Sequence, residues 1–306
     1  MNAPDKHTTG LYSKFIVNRT DGRDAPGEKH FGCDYFVLDL THDNHAISAI
    51  LAYADSCANS HPVLASDLKA KASEILAAAN RFITVPEVTL PSGKVVPSFQ
   101  VAQFITGKGP GDVPLFTDTA TPWVEIDFSN AKKVAANHGY AILTETQALA
   151  IAWDASQQHI NWTSGKVGEG KLYQGLHKGT VDEAMPATFE SNDPEERRWL
   201  QLSNGARIYD FAGNVFTWIF DDVQGDEDGL TTKIANDSIS LTTAPFGSQE
   251  KGMGWRPDGA RDWSGGALVR GGCWYSGSYA GAFRLDYGWP GYRRSSVGFR
   301  CTKPGL

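Results

Sequence analysis

The sequence predicts an α+β protein in two parts. Residues 1–85 read as a small N-terminal α/β module, suited to an attachment or assembly role. Residues 86–306 read as an α+β domain with two short helices, a small antiparallel sheet and long loops. Three observations lead there. The chain has 306 residues, which suggests about two domains of ordinary size. Its hydrophobic pattern changes from helical spacing to short β-rich runs separated by Gly, Pro, Asn and Asp. All nine Trp lie between Trp123 and Trp289, and the later half is rich in Gly. Long irregular loops need pinning, and a large aromatic can bury ~150–250 Å².

The N-terminal elements follow in order. Ser13–Asn18 and Asp34–Leu40 are β-rich runs, with turn chemistry over Thr20–Gly27 between them. A helix is expected from an Asp43 N-cap, with Ala46, Ala49, Ile50, Tyr53, Ala54 and Cys57 as its apolar stripe. His61-Pro62 ends it. A second helix carries Leu68, Ala72, Ile75, Leu76 and Ala79 on one face. His42 and His45 stand only three apart and lack a third ligand at helical spacing, so the polar run there reads as a helix start.

The second part opens with Ser98–Ile105, which alternates as a strand does. A helix over about Asn130–His138 takes Ser129 as cap and Gly139 as stop. A further helix starts at Thr144-Glu-Thr-Gln147, the spacing of a capping box, with Leu149, Ile151 and Ala152 inward. Ala206–Asp210 and Ala267–Arg270 are short strands between long loops. The acidic group Asp221, Asp222, Asp226, Glu227 and Asp228 lacks the spacing of a calcium loop and reads as solvated. Glu195-Glu196-Arg197-Arg198 reads as a charged surface turn.

Composition excludes several classes. A net charge of −7 argues against a broad phosphate-binding surface, so no nucleic acid is expected. No apolar run is long enough for a membrane span, and Met1–Gly10 lacks the apolar core of a secretory leader. The chain therefore reads as cytoplasmic when synthesised. No GxSxG, HExxH, Walker loop or GxGxxG is present. Of the four cysteines, Cys33, Cys57, Cys273 and Cys301, none forms a CxxC. They read as reduced thiols, with a Cys273–Cys301 bond as the alternative.

Four segments carry a family resemblance. Thr144-Glu-Thr-Gln-Ala-Leu-Ala-Ile-Ala152 resembles the "TEAEWEYAA" helix of the formylglycine-generating-enzyme (sulfatase-modifying factor) family. Tyr209-Asp-Phe-Ala-Gly-Asn-Val-Phe-Thr-Trp218 resembles its "DMAGNVWEW". Val269-Arg-Gly-Gly-Cys-Trp274 and Val297-Gly-Phe-Arg-Cys301 resemble its "RGGSW" and "GFR" strands. The order matches over about residues 95–301. The resemblance implies a C-type-lectin-like fold. Family enzymes place a cysteine pair after the "GGSW" strand, but Tyr275–Phe283 contains no Cys, so no catalytic residue is assigned. No cofactor or metal is assigned either. Some members hold calcium near the "GNVWEW" loop, where Asp210 could offer a carboxylate.

The segment from Arg270 to Cys301 is similar to the variable region of diversity-generating retroelement target proteins, which share that fold. Their framework resembles "GG-x-W-x-x-G-x-x-AGAF-x-L-x-x-x-x-P…VGFR", and this chain matches each framework position. The resemblance implies that the gap residues bind ligand: Tyr275, Ser276, Ser278, Tyr279, Arg284, Asp286, Tyr287, Gly288, Trp289, Gly291, Tyr292, Arg293, Arg294, Ser295 and Ser296. Such regions vary where adenines of Asn codons are miscopied. Those codons yield Tyr, Ser, Gly, Asp and Arg but never Lys, Glu, Gln, Met or Trp. Among the gap residues only Trp289 falls outside that set.

Tyr brings rigid amphipathic area, Ser and Gly adapt, and Arg offers planar charged recognition. The resulting expectation is a non-enzymatic recognition protein of phage or bacterial type. Its partner would be an unidentified protein or surface ligand, and an oligomer and a place on a virion stay open. The alternatives are a formylglycine-generating-type oxidoreductase with displaced catalytic residues, and a fixed carbohydrate-binding or structural lectin-like domain.

Overall fold

The computed structural model describes residues 15–40, 43, 45–234, 239–242, 249–259 and 261–303. The chain divides into two compact units, Met1–Ile75 and Leu76–Leu306.

In the first unit, α1 (Ala46–Cys57) and α2 (Pro62–Ala79, running on into the second unit) are built as the helical spacing predicts. Ala46, Ile47, Ile50, Ala54 and Cys57 are buried on α1. Ala54 and Cys57 pack with Ala65 of α2. Tyr53, expected inward, is 59% exposed. The cap also differs from expectation. Asp43 Oδ1 accepts from the His45 backbone N–H at 2.9 Å, and His45 is the N-cap residue. Phe15–Asn18 and Asp34–Leu40, expected as strands, form no ladder among the described residues. Strand propensity reports fit to a paired, half-buried surface, and these runs have none there. Ser13, Lys14, His42 and Asn44 lie outside the described residues.

The second unit contains β1 (Phe82–Val85), β2 (Phe99–Ala102), α3 (Phe128–Asn137), β3 (Ala141–Ile142), α4 (Glu145–Ser156), β4 (Trp199–Gln201), β5 (Arg207–Tyr209), β6 (Phe216–Ile219), β7 (Ala267–Gly271), β8 (Gly281–Gly288), β9 (Val297–Phe299) and β10 (Cys301–Thr302). One four-stranded sheet runs β1-β2-β10-β3 and is antiparallel. The other runs β8-β7-β6-β9, with β6 and β9 parallel. With two helices of ten and twelve residues, a single turn at Ile239–Thr242, small sheets and long loops, this is the α+β organisation expected of a lectin-like domain.

Both helix starts are fixed locally. Thr144 Oγ1 accepts from Gln147 N–H, and Gln147 Oε1 accepts from Thr144 N–H, so the capping box forms as its spacing predicts. The helix α3 is capped by Asp127, whose Oδ1 accepts from Asn130 N–H at 2.8 Å, rather than by Ser129. Phe128 begins the helix because its ring packs on Trp218, with centroids 5.9 Å apart. The stop at Gly139 holds, with φ +75° past the last turn.

Aromatics and buried ions pin the loops. Trp162 and Trp218 are almost fully buried, and Trp218 Nε1 donates to Ile126 O at 2.9 Å. Arg300 is fully buried and donates to the carbonyls of Ala102 (2.7 Å), Tyr209 and Asp210. Two charged runs expected at the surface have buried members: Glu196 and Arg198 in one, Asp221 in the other. Arg198 and Asp210 form a buried bidentate pair at 2.8 and 2.6 Å. Glu196 accepts from Thr180, Ser191 and the backbone of His177 and Lys178. Asp221 is buried, and Asp222 accepts from Thr144 Oγ1 and Thr146 N–H. Asp222 and the Asp226–Asp228 end of that acidic group are exposed, as expected. All four cysteines are free thiols, so Cys273 and Cys301 are not bonded.

Candidate functional site

The C-terminal segment enters the sheet as a hairpin-like pair, β7 with β8, whose register shifts between Arg270 and Gly271. The shift makes room for the Cys273–Ala280 loop. Gly281 is required by a close approach: a Cβ there would lie 2.2 Å from Met253 C and Gly254 N. Ala280, Ala282, Phe283 and Leu285 are fully buried. Between and beyond them the chain faces outward. Tyr275, Tyr279, Tyr287, Trp289 and Tyr292 are 59%, 48%, 38%, 49% and 42% exposed.

Part of the predicted set converges on one cleft of about 280 Å³. Its walls include Tyr275, Arg284, Asp286, Tyr287, Gly288, Tyr292, Arg294 and Ser296. Residues not foreseen complete it: Phe216, Trp218, Val269 and Val297. They come from β6, β7 and β9. The sheet pairing sets Phe216 opposite Val297 and Trp218 opposite Val269, and this pairing has no local signal in sequence.

Inside the cleft, Arg284 lies with its guanidinium carbon 4.9 Å from the Phe216 ring centre and 5.6 Å from that of Tyr279. Its Nη2 donates to Asp286 Oδ2 at 2.8 Å. Its Nε and Nη1 are buried and have no hydrogen-bond partner. Arg294 is exposed, sits 4.9 Å over the Tyr292 ring and makes no ion pair among the described residues. Tyr275 Oη donates to Ser296 Oγ at 3.0 Å, tying the two ends of the segment together.

The remaining predicted residues sit apart from the cleft. Ser276 is turned to the scaffold, where its Oγ accepts from Cys273 N–H at 2.9 Å. Ser278 accepts from Gln249 Nε2. Arg293 reaches Asp127, the α3 cap, at 2.8 and 2.9 Å. Burial opposes charge on Asp127, but donors from Asn130 and Arg293 outweigh it and hold the carboxyl below its ordinary value. Trp289, Gly291 and Ser295 are exposed. Ser296 is buried, so its hydroxyl lines the cleft from within. Tyr287 stacks on the buried Trp263, with centroids 4.9 Å apart.

A second hollow of about 440 Å³ lies against β4 and β5, lined by residues such as Phe189, Arg197 and Tyr209. Arg197 is sandwiched there between Tyr173 and Trp199, 3.8 and 3.9 Å from the ring centres. Its neighbours Arg198 and Glu196 are held by the buried partners described above. No helix among the described residues is long and apolar enough to cross a membrane. Among the described residues no three His, Cys, Asp or Glu side chains cluster as a metal site. Both oxygens of Asp210 are engaged by Arg198, and one also accepts from Asn214.

The architecture and the surface together define an α+β domain that sets an aromatic, arginine-bearing face on a buried framework. The chain belongs to the sulfatase-modifying factor enzyme 1-like (FGE-sulfatase) domain family, matched over residues 97–304. No curated protein matches it in sequence. Among solved structures, the Treponema denticola variable protein 1 is 12% identical, covering 74% of this chain and 95% of that one, with a TM-score of 0.40. PvdO from Pseudomonas aeruginosa is 13% identical, covering 73% and 94%, with a TM-score of 0.35. The Major Tropism Determinant U1 variant is 13% identical, covering 74% and 55%, with a TM-score of 0.37.

Proposed function

We propose that this protein is a non-enzymatic binder whose segment 275–296 is a diversified ligand-recognition surface, displayed by a phage or bacterium. One observation carries the reading. The residues that match the variable-region framework are buried except for the half-buried Gly277 and Pro290, and those in its gaps hold the exposed aromatics with Arg293 and Arg294. Ala280, Ala282, Phe283 and Leu285 face the core, whereas Tyr275, Tyr279, Trp289 and Tyr292 face outward. Five large aromatics on one exposed segment are a poor choice for a surface with nothing to bind. Buried Tyr, Trp and Arg are also the side chains that dominate interfaces.

Thiol chemistry of the formylglycine-generating kind needs an accessible thiolate. Cys273 is fully buried beside Ser276 Oγ at 3.3 Å. Burial pushes the Cys301 thiol up to about 12. Both observations favour binding over oxidation.

The test is genetic. DNA neighbouring the gene should hold a near-copy of the segment encoding Tyr275–Ser296, differing at adenines, beside a reverse transcriptase gene. A copy whose differences fall equally on all four bases would contradict diversification. A Cys-peptide oxidation assay covers the competing reading. Metal-dependent activity that disappears in Cys273→Ala would overturn the non-enzymatic assignment.

A further inference from the structure

The cleft has a chemical preference that its outline alone does not require. Arg284 is held between two aromatic rings, and its side chain is only 11% exposed. Asp286 satisfies one of its three nitrogens. Nε and Nη1 are buried and unpaired. A buried donor without an acceptor costs about 1–3 kcal/mol, and more when charged, so a turn of the Arg284 side chain that brings Nε or Nη1 to an acceptor in the cleft is favoured. Arg294 adds a second guanidinium to the same wall without an ion partner among the described residues. The charged groups lining the cleft are therefore Arg284, Arg294 and Asp286, an excess of one positive charge.

We infer that the cleft receives the carboxylate of an Asp or Glu side chain on a protein ligand, with Arg284 and Arg294 as its two partners. The inference rests on reading segment 275–296 as a ligand-binding face, and it names the group that face selects. The rings fit a peptide-borne acid. The Phe216 and Trp218 floor and the Tyr275 and Tyr292 walls can cover the acid's methylene groups and the flanking backbone while the arginines take the charge. The space of about 280 Å³ suits one side chain rather than a folded segment.

The test uses N-acetylglutamate amide, its isostere N-acetylglutamine amide, and inorganic phosphate, titrated against the full chain. The readout is the Arg Nε–Hε signals in nitrogen-edited NMR. The glutamate probe should shift the Arg284 and Arg294 signals saturably, and the glutamine probe should bind at least about tenfold more weakly. Arg294→Ser, an exposed change that leaves the fold intact, should weaken the glutamate probe by about tenfold. Arg284→Lys keeps the charge but loses the planar donors, and should weaken it too. Equal binding of the two amides, tighter binding of phosphate, or no saturable shift would each overturn the carboxylate assignment. The genetic test of diversification reads none of these signals, so the two readings can fail separately.

Discussion

Glu145, in the first turn of α4, and Arg270, on β7, form a buried bidentate ion pair. Arg270 Nε donates to Glu145 Oε2 at 2.6 Å, and Nη2 donates to Oε1. The Arg270 side chain is 3% exposed and that of Glu145 0%. This pair joins the capping-box helix to the strand that leads into the recognition segment. It explains why two sequence motifs 125 residues apart belong together.

Removing one partner should strand the other charge. Glu145→Gln is expected to cost about 3–5 kcal/mol in denaturant unfolding, and Arg270→Met a similar amount. The double change Glu145→Gln with Arg270→Met should cost clearly less than the sum of the two. A fully additive cycle would show that the pair does not couple helix to strand.

The cleft floor makes two neighbouring glycines unequal. A Cβ at Gly288 would lie 3.0 Å from Trp218 Cη2, whereas Gly291 has no atom within 4 Å. Gly288→Ala should cost about 1–3 kcal/mol by overpacking. Gly291→Tyr should stay within about 0.5 kcal/mol, as surface changes do. Thermal unfolding of the two variants checks this ordering, and equal losses would refute the placement of Trp218 under the cleft.

Asp221 gives a pH dependence with a defined sign. Burial, then the nearby charge of Glu145, raises its carboxyl from 3.8 to about 6 in the folded chain, against the backbone donors of Val223 and Gln224. Between about pH 4 and 6 the folded state therefore holds more protons than the unfolded state, and stability falls as pH rises. Asp221→Asn keeps an acceptor for both N–H groups and removes the charge. It should stabilise the protein by about 1–3 kcal/mol at pH 7.5 and have little effect at pH 4. A gain of equal size at both pH values would point to packing instead.

Much of this was readable in the chain, and the exceptions share a cause. Thr144 and Gln147 were legible because a capping box is complete within four residues. Gly139 was legible for the same reason. Asp127, not Ser129, caps α3, and the Phe128–Trp218 packing that accompanies this start has no local signal. Arg198 and Glu196 read as surface charges because their partners lie far along the chain: Asp210 for Arg198, and Thr180 for Glu196. The aromatic gap residues were visible as a pattern. The cleft between them was not, because Phe216, Trp218 and Val297 reach it only through sheet pairing. Ser276 and Ser296 show the limit of gap-counting, since one faces the scaffold and the other is buried. The runs at 15–18 and 34–40 had strand composition, but composition alone supplies no partner.

The central claim is that the exposed aromatics are separable from the frame that carries them. Thermal and denaturant unfolding of the triple variant Tyr279→Ser, Trp289→Ser, Tyr292→Ser tests it most directly, beside Phe283→Ala in the buried framework. Tyr287 is left in place because its stack on Trp263 contributes about 0.5–1.5 kcal/mol to the fold. The account predicts that the triple variant stays within about 1 kcal/mol of the parent, while Phe283→Ala loses about 3–5 kcal/mol. A triple variant that unfolds as readily as Phe283→Ala would place those aromatics in the core and contradict a recognition surface.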